Sequence, residues 1–223
     1  MSEANAQLAL VARNVGRVRD PLGRVFTPQS LANAIVDNLP DMQVEVAVDP
    51  ALGGGAFARA IRRRWPNARI IGVDIDPEAE GFADVDERIV GDWLQVAPSR
   101  SWPRVQLVAT NPPYNRATGR KNDKGEDIMV GCIGEHLIAT ATVRADVTEL
   151  LLPAATLFCG PDAEARAAFD WFPPAVATRI DGRPWPKLLR EAASYRWRLR
   201  DPLPAPDTIV PRKALAPPNG RWT

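Results

Sequence analysis

The stretch DPALGGGAF runs from Asp49 to Phe57 and separates a strand-like segment from a helix-like one. Residues 44–48 upstream (VEVAV) are strand-like, whereas Phe57, Ile61 and Trp65 downstream recur at helical spacing. Three consecutive glycines between them allow positive φ and let the backbone approach a ligand closely, with a helix N-terminus behind it. The stretch therefore predicts a strand, a ligand-binding loop and a helix, in that order.

Further apolar strands alternate with helical segments along the chain. The predicted strands are residues 69–73, 87–90, 105–109 and 148–152, and the predicted helices are residues 29–39 and about 129–141. Short apolar strands separated by helices are typical of a parallel sheet covered on both faces. Residues 176–180 and 194–199 instead alternate apolar and polar side chains, as edge or antiparallel strands do.

Length, charge and cysteine usage limit the functional classes. The 223 residues are enough for one large α/β domain, predicted at residues 1–200, followed by a Pro-rich tail at residues 201–223. Lys and Arg (28) nearly balance Asp and Glu (27), so nucleic-acid binding would need local basic patches. Cys132 and Cys159 lack the spacing of a zinc site or a disulfide framework, and no metal is expected. Without a membrane-spanning run or a signal peptide, a cytoplasmic protein is expected.

Acidic residues follow the second and third predicted strands. Asp74 can accept both hydroxyls of a ribose, as acids at this position do in nucleotide-binding α/β folds. Asp92 can accept a hydrogen bond from an exocyclic amine, and Trp93 offers a flat face for a purine. Tight turns with solvated acids and a core Trp are the alternative for each feature alone. Together with the glycine loop, the acids predict a nucleoside pocket, whereas Asp49 and the absence of a GK[ST] sequence disfavour a phosphate site.

The predicted strand at residues 105–109 is followed by Asn111-Pro-Pro-Tyr114, an amide, two rigid residues and an aromatic ring. Near the N-terminus, Phe26-Thr-Pro28 precedes the first helix. Thr27 as N-cap with Pro28 at the first helical position would be an ordinary helix start.

Five motifs occur in the order FTP, DPALGGGAF, VDID, GDWL and NPPY. In this order the chain resembles the S-adenosylmethionine-dependent N6-adenine DNA methyltransferases of the γ type, over residues 26 to about 152. NPPY also occurs in glutamine methyltransferases of release factors and in RNA methyltransferases, and the FTP element favours adenine in nucleic acid. The resemblance implies a Rossmann-like class I methyltransferase fold. That fold is a mostly parallel seven-stranded sheet with helices on both faces and an antiparallel C-terminal hairpin, here without a separate target-recognition domain.

The resemblance implies S-adenosyl-L-methionine as the cofactor and a role for each matching residue. Residues 26–28 would close over its methionine part, Asp49 would attract its ammonium group, Asp74 would hold the ribose, and Asp92 the adenine amine. The implied cofactor-binding residues are Phe26, Thr27, Pro28, Asp49, Ala51, Gly53, Gly55, Phe57, Asp74, Ile75, Asp92, Trp93 and Asn111.

The implied catalytic residues are Asn111, Pro112, Pro113 and Tyr114. The side-chain carbonyl of Asn111 and the backbone carbonyl of Pro112 would each accept one N–H of the target amine. The nitrogen lone pair would then point at the methyl group, with Tyr114 stacked against the flipped base.

Substrate contacts are expected from a polar loop at residues 115–127 and from a basic and aromatic cluster near the C-terminus. The predicted substrate-binding residues are Tyr114, Arg116, Arg120, Lys121, Lys124 and Trp197. The second cluster comprises Arg179, Arg183, Lys187, Arg190, Arg196, Arg198 and Arg200 with Trp185, Tyr195 and Trp197. DNA is the favoured partner, with a further subunit for target recognition as one option. Structured RNA, a protein glutamine, or a catalytically idle binding subunit are the alternatives.

Overall fold

The computed structural model describes residues 25–125, 127–154, 168–170, 173–180 and 192–198, with the side chains of 117–119 and 127–129 excepted. The predicted Pro-rich tail at residues 201–223 lies outside them. The helices are α1 (Gln29–Asp37), α2 (Ala56–Arg64), α3 (Trp93–Ser99) and α4 (Ile133–Ala141). The strands are β1 (Val46–Asp49), β2 (Arg69–Asp74), β3 (Glu87–Val90), β4 (Leu107–Thr110), β5 (Asn115–Lys121), β6 (Asp127–Gly131), β7 (Val147–Pro153), β8 (Val176–Arg179) and β9 (Ala192–Trp197). A short 3-10 turn spans Glu80–Asp84.

Seven strands form one sheet in the order β3-β2-β1-β4-β7-β9-β8. The first five strands in this order run parallel to one another, whereas β9 pairs antiparallel with both β7 and β8. The predicted fold class, including the antiparallel C-terminal hairpin, is confirmed. Because β1, β2 and β4 are parallel neighbours, the residues that follow them meet at one edge of the sheet.

The central strands are buried on both faces, as their continuous apolar runs predict. Ala47 and Leu107 pack with α1 and α2 on one face. Val48 and Val108, their neighbours in the chain, pack with α3 and α4 on the other. The resulting rigid sheet fixes the positions of the loops at its carboxyl edge.

The segment after the NPPY turn differs from the prediction. Residues 115–127 were expected to form a loop and a helix to begin near residue 129. Instead, β5 and β6 pair antiparallel, with Asn115 opposite Gly131, and α4 begins only after β6 ends. Gly125, at φ 76°, and the side chain of Asn122, which accepts a hydrogen bond from the Lys124 backbone N–H at 2.9 Å, form the turn. Strand β5 is mostly polar and β6 contains a continuous apolar run at residues 128–130, so neither strand shows the apolar–polar alternation that predicts a half-buried strand.

Candidate active site

The carboxyl edge of the sheet brings together three residues from different motifs. Asp49 ends β1, Asp74 ends β2, and Asn111 directly follows β4. Asp49 is 1% exposed, and Asp74 is also buried. Burying two carboxylates is unfavourable unless hydrogen-bond donors reach them, and backbone N–H groups of the adjoining loops are such donors here.

Backbone contacts hold the glycine loop and leave no room for a side chain at Gly55. Gly53 and Gly55 have φ values of 49° and 76°, in the region that favours glycine. A Cβ on Gly55 would lie 2.8 Å from the Cα of Gly81, in the 3-10 turn. The backbone N–H of Gly81 donates to the carbonyl of Gly53 at 2.9 Å. Glycine is therefore required at Gly55 by close packing as well as by φ.

Asp74 connects this loop to the end of β2. Its Oδ2 accepts the backbone N–H of Gly53 at 2.7 Å, and its Oδ1 accepts the backbone N–H of Asp76 at 2.9 Å. Each carboxylate oxygen has a further lone pair, so the side chain can still accept two hydroxyl groups. The carboxylate is thereby oriented before any ligand binds.

Asp49 lies deeper than Asp74. Burial raises the pKa of the Asp49 carboxyl to about 7. A cation at this position would restore the ionised form, because an opposite charge nearby favours the carboxylate. The side chain is thus suited to a positively charged group on a ligand.

Two exposed apolar side chains flank the loop. Phe26 is 43% exposed and Ile75 is 53% exposed. The Phe26 ring lies against the glycines, since a Cβ on Gly54 would be 3.2 Å from its Cδ1. We call Phe26, Asp49, the loop from Ala51 to Gly55, Asp74 and Ile75 the glycine-loop pocket.

The amide of Asn111 is held at both ends. Its Nδ2 donates to the backbone carbonyl of Val25 at 2.9 Å and to the hydroxyl of Thr27 at 3.0 Å. The hydroxyl of Tyr114 donates to its Oδ1 at 2.8 Å. The amide oxygen therefore faces the Tyr114 side, and the motif FTP contacts the motif NPPY directly.

Asp92 is placed at the end of β3, as expected, and caps α3. Its Oδ1 accepts the backbone N–H of Leu94 at 3.0 Å. Trp93 is different: it is 2% exposed, and its Nε1 donates to the hydroxyl of Thr140 at 3.0 Å. The expectation that Trp93 presents a face to a purine is wrong, because the ring is packed in the core between the sheet, α3 and α4. Phe57 is likewise buried in the core, which leaves only its backbone to face a ligand.

The predicted substrate contacts divide into two groups. Arg120, Lys121 and Lys124 are exposed at the far end of the β5–β6 hairpin, which begins directly after the NPPY turn. Arg116 instead forms a bidentate ion pair with Glu135 of α4, at 2.9 and 2.8 Å. That pair joins the hairpin to α4, and the Arg116 side chain is still 49% exposed, so its expected phosphate contact stays a prediction.

Trp197 is also buried, at 1% exposed. It packs edge-on against Phe169, with ring centroids 5.4 Å apart, and beside Tyr195. It cannot stack on a nucleic-acid base from this position, so that expectation is corrected. Arg196 pairs with the buried carboxylate of Glu149 at 2.7 Å. Part of the predicted basic cluster lies outside the described residues, namely Arg183, Trp185, Lys187, Arg190 and Arg200.

Cys132, which contacts the NPPY turn, and His136, whose backbone N–H donates to the Cys132 carbonyl, were not predicted as part of the site. The Sγ of Cys132 donates to the carbonyl of Pro113 at 3.1 Å, and its backbone N–H donates to the carbonyl of Tyr114 at 3.1 Å. Burial lowers the pKa of His136 to about 4, so this residue is neutral at pH 7. Only the juxtaposition of the hairpin and the turn reveals Cys132, because no motif contains it.

Two other classes of site have no counterpart among the described residues. These residues contain no group of three or more His, Cys, Asp or Glu side chains that could hold a metal ion. No helix in the same part of the chain is long and apolar enough to cross a membrane.

The glycine-loop pocket fits S-adenosyl-L-methionine on its donor set. Asp74 offers acceptors for ribose hydroxyls, Asp49 can face an ammonium group, and Ile75 and Phe26 offer apolar surface beside them. The glycines at positive φ leave backbone close to where such a ligand would lie.

No family model matches the chain. Several curated proteins are similar to parts of it. The type II methyltransferase M.CvrRI of Paramecium bursaria Chlorella virus XZ-6E is 30% identical over 131 residues, 52% of this chain and 33% of that protein. The type II methyltransferase M.TthHB8I of Thermus thermophilus is 34% identical over 94 residues, 42% of this chain and 21% of that protein. The ribosomal RNA small subunit methyltransferase H of Rubrobacter xylanophilus is 47% identical over 83 residues, 37% of this chain and 22% of that protein.

Solved structures share the fold. The type I restriction-modification methyltransferase subunit from Streptococcus thermophilus superposes with a TM-score of 0.59 at 18% identity, covering 80% of this chain and 46% of that one. A TehB-like S-adenosylmethionine-dependent methyltransferase from Corynebacterium glutamicum gives 0.50 at 15% identity, covering 87% and 96%. The fold is that of class I S-adenosylmethionine-dependent methyltransferases, and S-adenosyl-L-methionine is the expected cofactor. The chain spans only about a third or less of these three curated relatives.

Proposed function

We propose that the chain transfers a methyl group from S-adenosyl-L-methionine to the exocyclic N6 amine of adenine in DNA. The observation that carries this proposal is the Asn111 amide, whose two N–H groups are engaged by Val25 and Thr27. The other end of the amide, Oδ1, faces the NPPY turn and is a hydrogen-bond acceptor. A site that presents an acceptor selects a substrate that donates, and a purine amine is such a group.

The chain's residues would act on the amine as follows. An amine conjugated into a purine is a poor nucleophile because its lone pair is delocalised into the ring. The Oδ1 of Asn111 and the backbone carbonyl of Pro112 each accept one N–H, which draws the nitrogen toward tetrahedral geometry. Pro112 and Pro113 restrict the turn, so both acceptors stay fixed. The hydroxyl of Tyr114 now on Oδ1 must yield to the target, and its ring would stack on the flipped base.

The cofactor half of the reaction rests on the glycine-loop pocket. When bound, S-adenosyl-L-methionine supplies an electrophilic methyl group on a sulfonium. Asp74 would hold the ribose hydroxyls, Asp49 the ammonium group, and Asp92 the adenine amine through the carboxylate that also caps α3. Ile75 would cover one face of the adenine, and Phe26 the methionine part.

Adenine in DNA is favoured because the motif set is similar to N6-adenine enzymes and because two of the curated relatives are type II methyltransferases. The β5–β6 hairpin begins directly after the turn where a flipped base would enter, and the exposed cations at its far end suit phosphates farther along the nucleic acid. Structured RNA is the second candidate, supported by the 47% identity to a ribosomal RNA methyltransferase over 83 residues.

The test is a tritiated-methyl transfer assay with duplex DNA, structured RNA and total protein as acceptors. We expect label in DNA, recovered as N6-methyladenine after nucleoside digestion. Label in RNA alone would support the second candidate, and label only in protein would overturn both. An Asn111→Ala variant included in each reaction identifies transfer that depends on this site.

A further inference from the structure

We infer that Thr27 is a positioning residue for methyl transfer: its hydroxyl fixes the orientation of the catalytic amide of Asn111. This role differs from closure over the cofactor, the role expected for FTP from its motif. The inference rests on the proposed function, in which the Oδ1 of Asn111 binds the target amine.

The first observation is that the Thr27 hydroxyl does not cap helix α1. A Thr immediately before Pro28 and a helix is expected to cap that helix with its hydroxyl. Here Pro28 itself occupies the cap position, and no side chain caps α1. The Thr27 hydroxyl instead accepts an N–H of Asn111 at 3.0 Å, across 84 residues of sequence. The hydroxyl is thus committed to the catalytic turn.

The second observation is the chemistry of the neighbouring acceptor. The two ends of a carboxamide have nearly the same shape, so contacts decide which end faces a substrate. The backbone carbonyl of Val25 carries no proton, and it lies 2.9 Å from Nδ2. In the flipped amide, Oδ1 would face this carbonyl and the two oxygens would repel. Val25 therefore excludes the flipped amide, and Thr27 removes the remaining rotation by holding the second N–H.

The third observation is on the opposite end of the amide. The Tyr114 hydroxyl donates to Oδ1 at 2.8 Å, which is the same type of contact that a purine amine would make. The amide is therefore already oriented to accept, before a substrate arrives. Preorganisation of this kind lowers the barrier, because no reorientation is needed during the reaction.

Thr27→Val removes the hydroxyl while keeping the branched shape of the side chain. We expect kcat for methyl transfer to fall between about fivefold, the value of one hydrogen bond, and about a hundredfold, the effect of a displacement near 1 Å. The dissociation constant for S-adenosyl-L-methionine, measured by calorimetry, should change by less than about twofold, because the hydroxyl bonds Asn111 and not the glycine-loop pocket. Thr27→Ser restores the hydroxyl and should recover most of the activity.

Thr142→Val is the matched control. Its hydroxyl bonds the carbonyl of Ala139 at the end of α4, so the same chemical change there should leave kcat unaltered. A wild-type kcat in Thr27→Val, or a loss that appears only in cofactor affinity, would overturn the positioning role. If Thr27→Val does not fold, nitrogen NMR of the wild-type protein decides. Exchange of both Asn111 side-chain amide protons with solvent much more slowly than in an exposed Asn supports the inference, because each is hydrogen-bonded, and exchange of one of them at the exposed rate contradicts it.

The two variants Asn111→Ala and Thr27→Val together distinguish failure of the positioning role from failure of the proposed function. If Asn111→Ala abolishes transfer while Thr27→Val does not reduce it, the positioning role is wrong and the catalytic site stands. If Asn111→Ala retains methyl transfer, the catalytic role of the Asn111 amide is wrong. The positioning role of Thr27 is then wrong as well, because it depends on that amide.

Discussion

The glycine-loop pocket and the β5–β6 hairpin lie on either side of Asn111, yet they are built in opposite ways. In the pocket, backbone N–H groups bond the two buried acids, and Gly55 packs without space for a side chain. In the hairpin, two antiparallel strands carry exposed cations. The pocket is preorganised for one shape of ligand, whereas the hairpin offers charge to a ligand whose shape can vary. Under the proposed function, the pocket binds one cofactor, whereas the hairpin binds nucleic acid of many sequences.

Substitution of Asn111, which lies between these two regions, should have the largest effect on methyl transfer. Asn111→Ala should lower methyl transfer by at least about a hundredfold, the loss typical for removing an aligned catalytic hydrogen-bonding group. Cofactor binding should stay nearly intact, because the amide oxygen faces the Tyr114 side. Single-turnover kinetics measures the first quantity and calorimetry the second. Near-normal turnover in the folded variant would mean that the site does not work as proposed.

The pocket itself comes next. Asp74→Ala should weaken S-adenosyl-L-methionine binding by roughly 1–3 kcal/mol, or about 5- to 150-fold, because it removes the ribose acceptors and releases Gly53. Asp76→Ala is the nearby control, since the contact that Asp76 makes to Asp74 uses its backbone N–H. Unchanged affinity in a folded Asp74→Ala protein would remove Asp74 from the cofactor site.

The two regions also differ in how far the sequence predicts them. The strand ends of the pocket were predictable because a parallel sheet brings the carboxyl ends of its strands together, whatever the intervening chain does. Asp49, Asp74 and Asn111 therefore meet as expected. The hairpin was missed because its strands lack apolar alternation, the signal on which strand prediction depends.

Burial was the property that sequence predicted least well. Trp93 and Trp197 have the residue type of stacking platforms, but their environment is core. The contact of Thr27 with Asn111 joins residues far apart in sequence, and no local pattern encodes such a contact. The residue type indicates which interactions a side chain can make, whereas tertiary packing determines whether that side chain is accessible to a ligand.

The third prediction concerns the pH dependence of the pocket. The folded pKa of Asp49, about 7, lies above its ordinary value of 3.8, so the folded state holds more protons than the unfolded state between these values. The contribution of Asp49 to stability therefore falls as pH rises through this window. If an ammonium group of the cofactor pairs with Asp49, binding releases a proton below about pH 7, and affinity rises by at most about tenfold per pH unit.

Calorimetry in buffers of different ionisation enthalpy measures that proton release directly. Asp49→Asn keeps the size of the side chain and removes its charge, so the pH dependence of binding should flatten between about pH 5 and 7. Equal proton release in the wild type and in Asp49→Asn would assign the effect to another group. The pocket would then not recognise the ammonium through Asp49.

The hairpin should show the smallest and most salt-sensitive effect. Replacing Arg120, Lys121 and Lys124 with alanine should weaken substrate binding for all sequences alike. The slope of log affinity against log salt should flatten by about 0.9 for each duplex phosphate that these side chains no longer neutralise. Arg116 is left in place because its pair with Glu135 supports the hairpin.

A matched control replaces Arg63, Arg69 and Arg104, which lie in exposed ion pairs on other parts of the surface. Both variants remove three positive charges, so a salt slope that changes equally in both would reflect net charge. A change confined to the first variant would place the nucleic acid on the β5–β6 hairpin, the element that follows the NPPY turn.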